Sequence, residues 1–375
     1  MTIGYDAKRA FRNFTGLGNY SRSTVSILSE FYPDSRYILY TLPYSSHPEH
    51  RFADRENMHI VQPQGMYRHF PSLWRSLGIV HDAKRDKVQL FHGLSGELPA
   101  GLSKHNIRSI VTVHDLIFLH YPAFYKPIDR WIYTKKFKSA CINADLIIAI
   151  SKQTKQDIID FFGISENKIR LVYQGCDPQF YDQCSDEQKQ AVATKYQLPP
   201  NYILYVGTIE KRKNLNTIVK ALASLPEKYS LVAVGKPTGY MQEVNSEIAR
   251  LSLKSRVHFI HKVDFRDLPA IYQQAEVFVL SSVFEGFGIP VLEALNSKIP
   301  VITSNVSSLP EAGGAHSIYI NPADSRELEQ ALLRLFTDNN LRNSMIANGY
   351  QHALNFREEK IAANLWNVYA ELYDH

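Results

Sequence analysis

Two glutamates, Glu285 and Glu293, stand among glycines and a proline in the stretch FEGFGIPVLEALNSKIPVITS. Gly286 and Gly288 permit backbone conformations and close approaches that side chains would block, and Pro290 suits the first position of a helix. The pattern therefore predicts Glu285 in a loop and Glu293 about one turn into the following helix. Carboxylates placed there can accept hydrogen bonds from hydroxyl groups, whereas the start of the helix offers N–H groups and positive dipole to a phosphate.

The elements that must position these glutamates are two strands and the helix between them. The run AEVFVLSS before the glutamates and the run IPVITS after the helix are both typical of buried strands. The loop then follows the carboxyl end of a strand, which is where open α/β sheets bind ligands. A ligand that carries both phosphate and many hydroxyl groups is a nucleotide sugar, and the stretch predicts a site for one.

Similar strand–helix units recur along the whole chain. The runs VQLFHGL, RSIVTVHDLIFL, ADLIIAIS, NYILYVG, YSLVAVGK and RVHFIHKV are each followed by turn residues and a helical pattern. We therefore expect an α/β fold with two Rossmann-like, doubly wound parallel-sheet domains that face a deep ligand cleft.

The domain boundary is expected where the composition turns polar, in residues 176–200. The predicted domains are 1–180, for the acceptor, and 181–354, for the nucleotide sugar. A C-terminal helix within 355–375 is expected to join the first domain.

The composition excludes several classes of protein. The chain has 375 residues, 45% of them hydrophobic and 21% charged, as in ordinary soluble proteins of two domains. No apolar run has the length of a signal peptide or a membrane span. The three cysteines, Cys141, Cys176 and Cys184, have no metal-ligand or redox spacing. No nucleic-acid motif is present, so we expect a cytoplasmic protein without a nucleic-acid partner.

Positive charge is concentrated in the first half of the chain. Residues 1–180 contain 23 Lys and Arg against 16 Asp and Glu, within a total net charge of +5. A basic half can meet an anionic membrane surface or an anionic acceptor, or it can be ordinary solvated surface charge. Peripheral association with an anionic inner membrane is therefore one expectation.

The glutamate pair within EGFGIPVLEAL resembles the E-x7-E motif of the retaining glycosyltransferases of family 4, which have the GT-B fold. The resemblance implies that Glu285 contacts the donor sugar and that Glu293 binds the nucleotide ribose. Backbone N–H groups of Phe287, Gly288 and Ile289 are then expected near the sugar and the diphosphate. The alternative is structural, with Glu285 capping a helix and Glu293 facing solvent.

A second match is YVGTIEKRKNL, which places Arg212 and Lys213 between a strand and a helix. A diphosphate leaving group accumulates negative charge as the glycosidic bond breaks, and basic side chains stabilise that charge. The resemblance assigns this role to Lys213 first, with Arg212 beside it. Many family members carry an arginine directly after the strand glycine, where this chain has Thr208. Because of this difference, the sequence leaves open which group supplies the second positive charge.

The sequence VTVHDLIFL places His114 after an apolar strand, where similar enzymes have a histidine close to the donor sugar. We expect His114 to be catalytic by orienting the sugar and shielding charge rather than by taking a proton; a purely structural hydrogen bond is the alternative. Weaker candidates are His92, Gly93 and Ser95 on the acceptor side. Glu311, in SSLPEAGG, is expected to cap a helix or touch the nucleotide.

The segment TGLGNYSR resembles the first-domain glycine loop of these transferases, which faces the acceptor and the donor phosphate. Gly16, Gly18 and Asn19 are its candidate residues. A dinucleotide fingerprint would need a third glycine where this chain has Ser21.

Together the resemblances span nearly the whole chain. They imply a retaining transferase that moves a hexose-type sugar from a nucleotide-diphosphate sugar to a glycan or lipid-linked acceptor in bacterial surface polysaccharide synthesis. The nucleotide sugar is a co-substrate, and no cofactor is expected. The absence of a suitably placed Asp-x-Asp motif predicts metal independence. Two alternatives are a nicotinamide-dependent oxidoreductase and a non-catalytic protein that binds nucleotide sugars on a similar fold.

Overall fold

The computed structural model describes residues 1–373 and divides the chain into two compact units. Met1–Gln174 and the segment that starts at Glu358 form the first unit, and Gly175–Arg357 form the second. The boundary thus follows Gln174, whereas the sequence placed it after residue 180.

The first unit is built on a seven-stranded sheet in which all neighbours pair in parallel. Its strands are β1 (Thr2–Asp6), β2 (Arg36–Tyr40), β3 (Met58–Val61), β4 (Leu90–Gly93), β5 (Arg108–Val113), β6 (Leu146–Ala149) and β7 (Ile169–Leu171). The strand order is β3-β2-β1-β4-β5-β6-β7. The order reverses between β1 and β4, which is the topological switch point at which such sheets bind ligands.

The helices of the first unit cover this sheet. They are α1 (Lys8–Arg12), α2 (Gly16–Phe31), α3 (Pro71–Leu73), α4 (Ile79–Arg85), α5 (Ile117–His120), α6 (Pro127–Asn143) and α7 (Lys152–Phe162). A π-helical turn, Trp74–Gly78, joins α3 to α4. At the start of α7, Ser151 Oγ accepts a hydrogen bond of 3.0 Å from the N–H of Thr154, so Ser151 is the N-cap of this helix.

The second unit repeats the same winding with six parallel strands. They are β8 (Tyr202–Val206), β9 (Ser230–Val234), β10 (Val257–Ile260), β11 (Val277–Leu280), β12 (Val301–Ser304) and β13 (Ile318–Ile320). The strand order is β10-β9-β8-β11-β12-β13, so its switch point lies between β8 and β11. The predicted α/β class with two doubly wound parallel sheets is confirmed.

Helices follow each of these strands, and the last one returns to the first unit. They are α8 (Asp186–Tyr196), α9 (Leu215–Ala223), α10 (Met241–Arg250), α11 (Leu268–Gln273), α12 (Ile289–Asn296), α13 (Leu309–Gly313), α14 (Ser325–Thr337), α15 (Asn339–Ala353) and α16 (Glu358–Tyr373). Within residues 1–373, no helix combines the length and the apolar character needed to cross a membrane.

The polar stretch at residues 176–200 lies just beyond the division between Gln174 and Gly175. It belongs to the second unit and contains α8. Ser185 and Gln188 form a capping box at the start of this helix, and Val192 is its one buried residue. The stretch is polar because α8 is a surface helix, and polarity alone does not distinguish such a helix from a linker.

Helix α16 is held in the first unit by buried polar and aromatic contacts. The hydroxyl of Tyr369 lies 2.6 Å from Nδ1 of His92 and 3.3 Å from the hydroxyl of Tyr5. The ring of Trp366 stacks on that of Tyr32 with centroids 4.0 Å apart. The C-terminal helix is therefore part of the core of the first unit.

Candidate active site

The candidate residues of the second unit lie on the two loops at its switch point. After β8, residues 211–213 form a short 3-10 turn before α9, which places Arg212 and Lys213 at the carboxyl edge of the sheet. After β11, Glu285 lies in the loop before α12. A hydrogen bond of 2.9 Å from the N–H of Val283 to the carbonyl of Arg212 joins the loops. The strand order therefore brings together motifs that are some 70 residues apart in sequence.

The carboxylate of Glu285 sits between two cations. Its Oε2 lies 2.7 Å from Nη1 of Arg212, and its Oε1 lies 3.6 Å from Nζ of Lys213. Ser282 Oγ donates a hydrogen bond of 2.8 Å to the same Oε1. Burial acts to raise the pKa of Glu285, but Lys213 and Arg212 outweigh it and lower the pKa to about 2. Glu285 is therefore ionised at neutral pH and serves as a hydrogen-bond acceptor, not as a proton donor.

Arg212 is engaged within its own unit. Its Nη2 donates to Oε1 of Glu210 at 2.6 Å, and its Nη1 donates to the carbonyl of Phe284 at 2.6 Å. Together with the contact to Glu285, these bonds hold the guanidinium in a fixed orientation. Arg212 thus positions Glu285. Thr208 is exposed and places no charge near this carboxylate.

Glycines follow two neighbouring strands at this edge of the sheet, and one of them packs against Lys213. Gly207 follows β8 with a φ of +148°, and a Cβ added there would lie 2.6 Å from Nζ of Lys213. Gly235 follows β9 with a φ of +157°, and its added Cβ would lie 1.9 Å from the carbonyl oxygen of Gly207. Only glycine fits either position without displacing its neighbours. The signal was present in the sequence, since both strands end in Val-Gly.

Two serines that the sequence analysis did not assign hold the Glu285 loop in place. The N–H of Glu285 donates to Ser307 Oγ at 3.0 Å. Ser308 Oγ lies 2.8 Å from the carbonyl of Glu285 and 3.0 Å from that of Phe287. Both serines follow β12, so the loop is fixed by a third strand end.

Helix α12 begins at Ile289, so Pro290 is its second residue rather than its first. Gly288 precedes the helix with a φ of +119°, and an added Cβ would lie 3.0 Å from the side chain of Leu309. The side chain of Phe287 is buried and its ring packs on Phe356. Any contribution of Phe287 to ligand binding therefore comes from its backbone.

Glu293 is buried, which excludes the alternative in which it faces solvent. It is 9% exposed, and the hydroxyl of Tyr272 donates to its Oε2 at 2.7 Å. Burial is the main cause that raises the pKa of Glu293. Asp177 adds to this, while the hydrogen bond from Tyr272 and the charge of Lys213 oppose it, and the pKa lies at about 7. Ionisation of Glu293 is thus coupled to the same lysine that faces Glu285.

This raised pKa predicts that Glu293→Gln stabilises the protein at alkaline pH. The folded state holds a proton on Glu293 up to about pH 7, whereas the unfolded chain releases it near pH 4.5. Wild-type stability therefore falls as the pH rises between these values, by at most roughly 3 kcal/mol. The amide keeps an acceptor for Tyr272 and does not ionise. We expect its melting temperature to exceed that of the wild type at pH 8.5 and to approach it at pH 4.5, as measured by calorimetry.

The control for this prediction is Glu329→Gln, on α14. An equal gain in both variants would mean that loss of negative charge in general, and not the buried position of Glu293, raises stability. A gain that does not depend on pH would contradict the raised pKa.

In the first unit, His114 follows β5 and is 8% exposed. Its Nε2 lies 2.9 Å from the carbonyl of Leu94, so Nε2 carries the proton and Nδ1 carries the lone pair. Its ring meets that of Tyr20 edge-on, with centroids 4.5 Å apart. Burial lowers the pKa of His114, the Leu94 carbonyl opposes this, and the pKa lies at about 4. A neutral imidazole that accepts a hydrogen bond matches the expected role of orienting a sugar hydroxyl.

His92 is a structural residue. It is fully buried, with Nδ1 at 2.6 Å from the hydroxyl of Tyr369 and Nε2 at 2.8 Å from Thr112 Oγ1. Both ring nitrogens are thus occupied inside the core, so the suggestion that His92 lines an acceptor site is wrong. Ser95 accepts a hydrogen bond of 3.0 Å from Nε of Arg9.

The glycines of the segment TGLGNYSR in the first unit are explained by local packing. Gly16 and Gly18 form the first turn of α2. A Cβ added to Gly18 would lie 1.7 Å from the carbonyl oxygen of Asn13, whereas one added to Gly16 meets nothing within 4 Å. Asn19 Oδ1 accepts a hydrogen bond of 2.5 Å from Arg22. Gly18 is therefore required by close packing of the chain on itself, and only Gly16 borders open space.

A carboxylate fixed between two cations at the switch point of a doubly wound sheet is suited to a ligand with hydroxyl and phosphate groups. The family model Glycosyl transferases group 1 matches residues 186–352, and the model Glycosyltransferase Family 4 matches residues 32–180. The chain belongs to this family of glycosyltransferases.

Individual relatives agree with this assignment. O-antigen chain mannosyltransferase B of Escherichia coli is 31% identical over 295 residues, which are 76% of this chain and 76% of that protein. O-antigen chain mannosyltransferase RfbU of Salmonella typhimurium is 27% identical over 222 residues, 59% of each chain. No comparison supports the nicotinamide-dependent alternative.

Solved structures show the same fold at low sequence identity. The Anabaena protein Alr3699/HepE, crystallised with UDP and glucose, superposes with a TM-score of 0.78 at 17% identity, over 99% of this chain and 100% of that one. The predicted GT-B fold is thereby confirmed.

Proposed function

We propose that the chain transfers a hexose from a nucleotide-diphosphate sugar with retention of the anomeric configuration and without a metal ion. The observation that carries this proposal is the position of Glu285, ion-paired with Arg212 and close to Lys213 at the switch point of the second unit. This arrangement offers one anionic acceptor for sugar hydroxyls and positive charge for a diphosphate within one small region.

The roles follow from the chemistry of each group. Glu285 accepts hydrogen bonds from hydroxyls of the donor sugar, and Glu293 accepts them from the ribose. Lys213 faces the diphosphate and stabilises the negative charge that grows on it as the bond to the sugar breaks. Arg212 keeps Glu285 oriented and adds positive charge, which supports metal-independent transfer. Backbone N–H groups of Phe287, Gly288 and Ile289 complete the diphosphate site.

The contacts and the pKa of Glu285 support retention of the anomeric configuration. Both of its oxygens are held by neighbours, and its pKa of about 2 makes it a poor base. We therefore assign the acceptor proton to a departing phosphate oxygen. The bond between the anomeric carbon and phosphate oxygen breaks, the acceptor oxygen bonds to that carbon from the same face, and its proton passes to the phosphate. His114 orients the sugar through Nδ1.

The names of the relatives favour mannose as the sugar and a polysaccharide of the bacterial surface as the product. We propose a glycan or lipid-linked saccharide as the acceptor and assign its binding to the first unit. We also propose that the enzyme acts in the cytoplasm, at the anionic inner face of the membrane.

The first test is a thermal-shift panel with UDP, GDP, ADP, TDP, CMP and NAD, each with magnesium and with a chelator. A ligand at a hundred times its dissociation constant adds about 2.7 kcal/mol of stability. We expect one nucleoside diphosphate to raise the melting temperature equally under both conditions. A shift with NAD alone would overturn the donor assignment. A shift that requires magnesium would overturn metal independence, and product NMR that shows inversion would overturn retention.

A further inference from the structure

Helix α7 makes two polar contacts with the segment that carries His114. Thr154 Oγ1 donates a hydrogen bond of 3.0 Å to the carbonyl of His114. Oδ1 of Asp157 lies 2.8 Å from Nε2 of His120, at the end of α5. Side chains three residues apart lie on the same face of a helix, so one face of α7 contacts both ends of residues 114–120.

The hydroxyl of Thr154 belongs to a buried chain of hydrogen bonds. Thr154 is 1% exposed, and Ser151 is fully buried. Ser151 Oγ donates at 2.9 Å to Oγ1 of Thr154, which in turn donates to the carbonyl of His114. The N-cap of α7 uses only the Ser151 oxygen and the N–H of Thr154, so capping does not require the Thr154 hydroxyl. This hydroxyl is therefore explained by its bond to His114.

The imidazole of His114 is held by elements other than α7. Its Nε2 meets the carbonyl of Leu94, which follows β4, and its ring meets that of Tyr20 on α2. These contacts fix the direction of the ring only while the main chain of His114 stays in place. Since Thr154 bonds the main chain itself, it fixes the point from which the ring extends. Misplacement of a reacting group by about 1 Å can slow a reaction by about a hundred-fold.

We propose that Thr154 is a positioning residue for sugar transfer. Its hydroxyl holds the carbonyl of His114 and thereby keeps Nδ1 of that histidine at the donor sugar. The contact between Asp157 and His120 restrains the other end of the same segment. The proposal rests on the proposed function for the role of His114, whereas the hydrogen bond and its effect on the imidazole do not depend on a donor.

The kinetic test compares Thr154→Val with Thr154→Ser. Valine keeps the branched shape of threonine but has no hydroxyl, so the carbonyl of His114 loses this donor. We expect kcat to fall by about ten-fold, because the imidazole moves by a fraction of the distance that costs about a hundred-fold. Serine retains the hydroxyl and should restore kcat close to that of the wild type. Initial rates are measured with the mannose nucleotide whose nucleoside diphosphate raises the melting temperature.

Thr134→Val, on α6, is the matched control. The Thr134 hydroxyl donates at 2.8 Å to the carbonyl of Arg130 in its own helix, so the same substitution there disturbs no other segment. This variant should transfer sugar at the wild-type rate.

A double-mutant cycle with His114→Ala separates positioning from folding. If Thr154 acts through His114, then Thr154→Val should not slow the His114→Ala variant any further. An equal further loss of rate in that background would mean that Thr154 acts elsewhere, and the proposal would be overturned.

The imidazole of His114 supplies a readout that needs no substrate. In NMR spectra of protein labelled isotopically at histidine, its two ring-nitrogen signals are identified by their absence in His114→Ala. We expect these signals to shift in Thr154→Val and to keep their positions in Thr154→Ser and Thr134→Val. Unchanged signals in Thr154→Val would contradict positioning, as would a wild-type rate in that variant or an equally low rate in Thr154→Ser.

The measurements also distinguish this proposal from the proposed function. A wild-type rate in His114→Ala would contradict the role of His114 in transfer, and the positioning for transfer with it. A low rate in His114→Ala together with a wild-type rate in Thr154→Val would contradict only the role of Thr154.

Discussion

Glu285→Gln is expected to lower the rate of sugar transfer by at least about a hundred-fold, with a folded protein retained. The amide keeps the size of the side chain but loses the negative charge and one acceptor oxygen. Sugar hydroxyls then lose a charge-assisted hydrogen bond, and Lys213 and Arg212 lose the anion between them. Because the lost interaction acts on the reacting sugar, the effect should appear mainly in kcat.

The same substitution is expected to change how the free energy of unfolding depends on pH. The folded-state pKa of Glu285 lies at about 2, below the value of 4.5 of an unperturbed glutamate. Glu285 therefore contributes stability above pH 4.5, and this contribution is lost as the pH falls towards 2, to the extent of roughly 3 kcal/mol. Glu285→Gln should lose stability at pH 7 and show a flatter profile between pH 4.5 and 2. The stability that Glu285 contributes therefore rises with pH, whereas the stability that Glu293 contributes falls with pH.

Glu227→Gln, in an exposed loop, is the control for both measurements. Initial rates measured with saturating donor, together with calorimetric melting at several pH values, separate catalysis from folding. Wild-type rates in Glu285→Gln would show that the candidate site is wrongly assigned. A lower rate that merely follows the loss of folded protein would contradict a catalytic role.

Lys213→Met is expected to reduce transfer by about a hundred-fold to a thousand-fold, the range found when a group that stabilises developing charge is removed. Methionine preserves most of the aliphatic chain that lies over Gly207 but removes the ammonium group. Without it, the leaving diphosphate is less well stabilised. Binding should change selectively, with the thermal shift from the nucleoside diphosphate reduced and the shift from the corresponding nucleoside unaffected.

The chain offers a close control in Lys211, which lies two residues away in the same 3-10 turn. Lys211 is 68% exposed at its side chain and lies 3.9 Å from Glu243. Lys211→Met should leave transfer and diphosphate binding unchanged. Equal losses in the two variants would indicate a general effect of positive charge, and normal diphosphate binding by Lys213→Met would contradict the proposed contact.

The sequence by itself determined the strands and the residues at their carboxyl ends. Buried parallel strands need continuous apolar, β-branched runs, and the turns after them need glycine, so the pattern is local and can be read without a structure. Glu285, Glu293 and Lys213 were found because the stretches EGFGIPVLEAL and YVGTIEKRKNL, which resemble family sequences, each lie within a single strand–loop–helix unit. The two Val-Gly strand ends belonged to the same signal, although the close packing of Gly207 against Lys213 and of Gly235 against Gly207 was not recognised.

Only the tertiary structure decided which loops meet. Ser307 supports Glu285 because β12 lies beside β11, and Tyr272 reaches Glu293 from a different helix. His92 had the sequence setting of a site residue, yet the returning helix α16 buries it against Tyr369. These contacts join residues up to 277 positions apart. They depend on strand order and helix packing, which a periodicity confined to a few neighbouring residues does not encode.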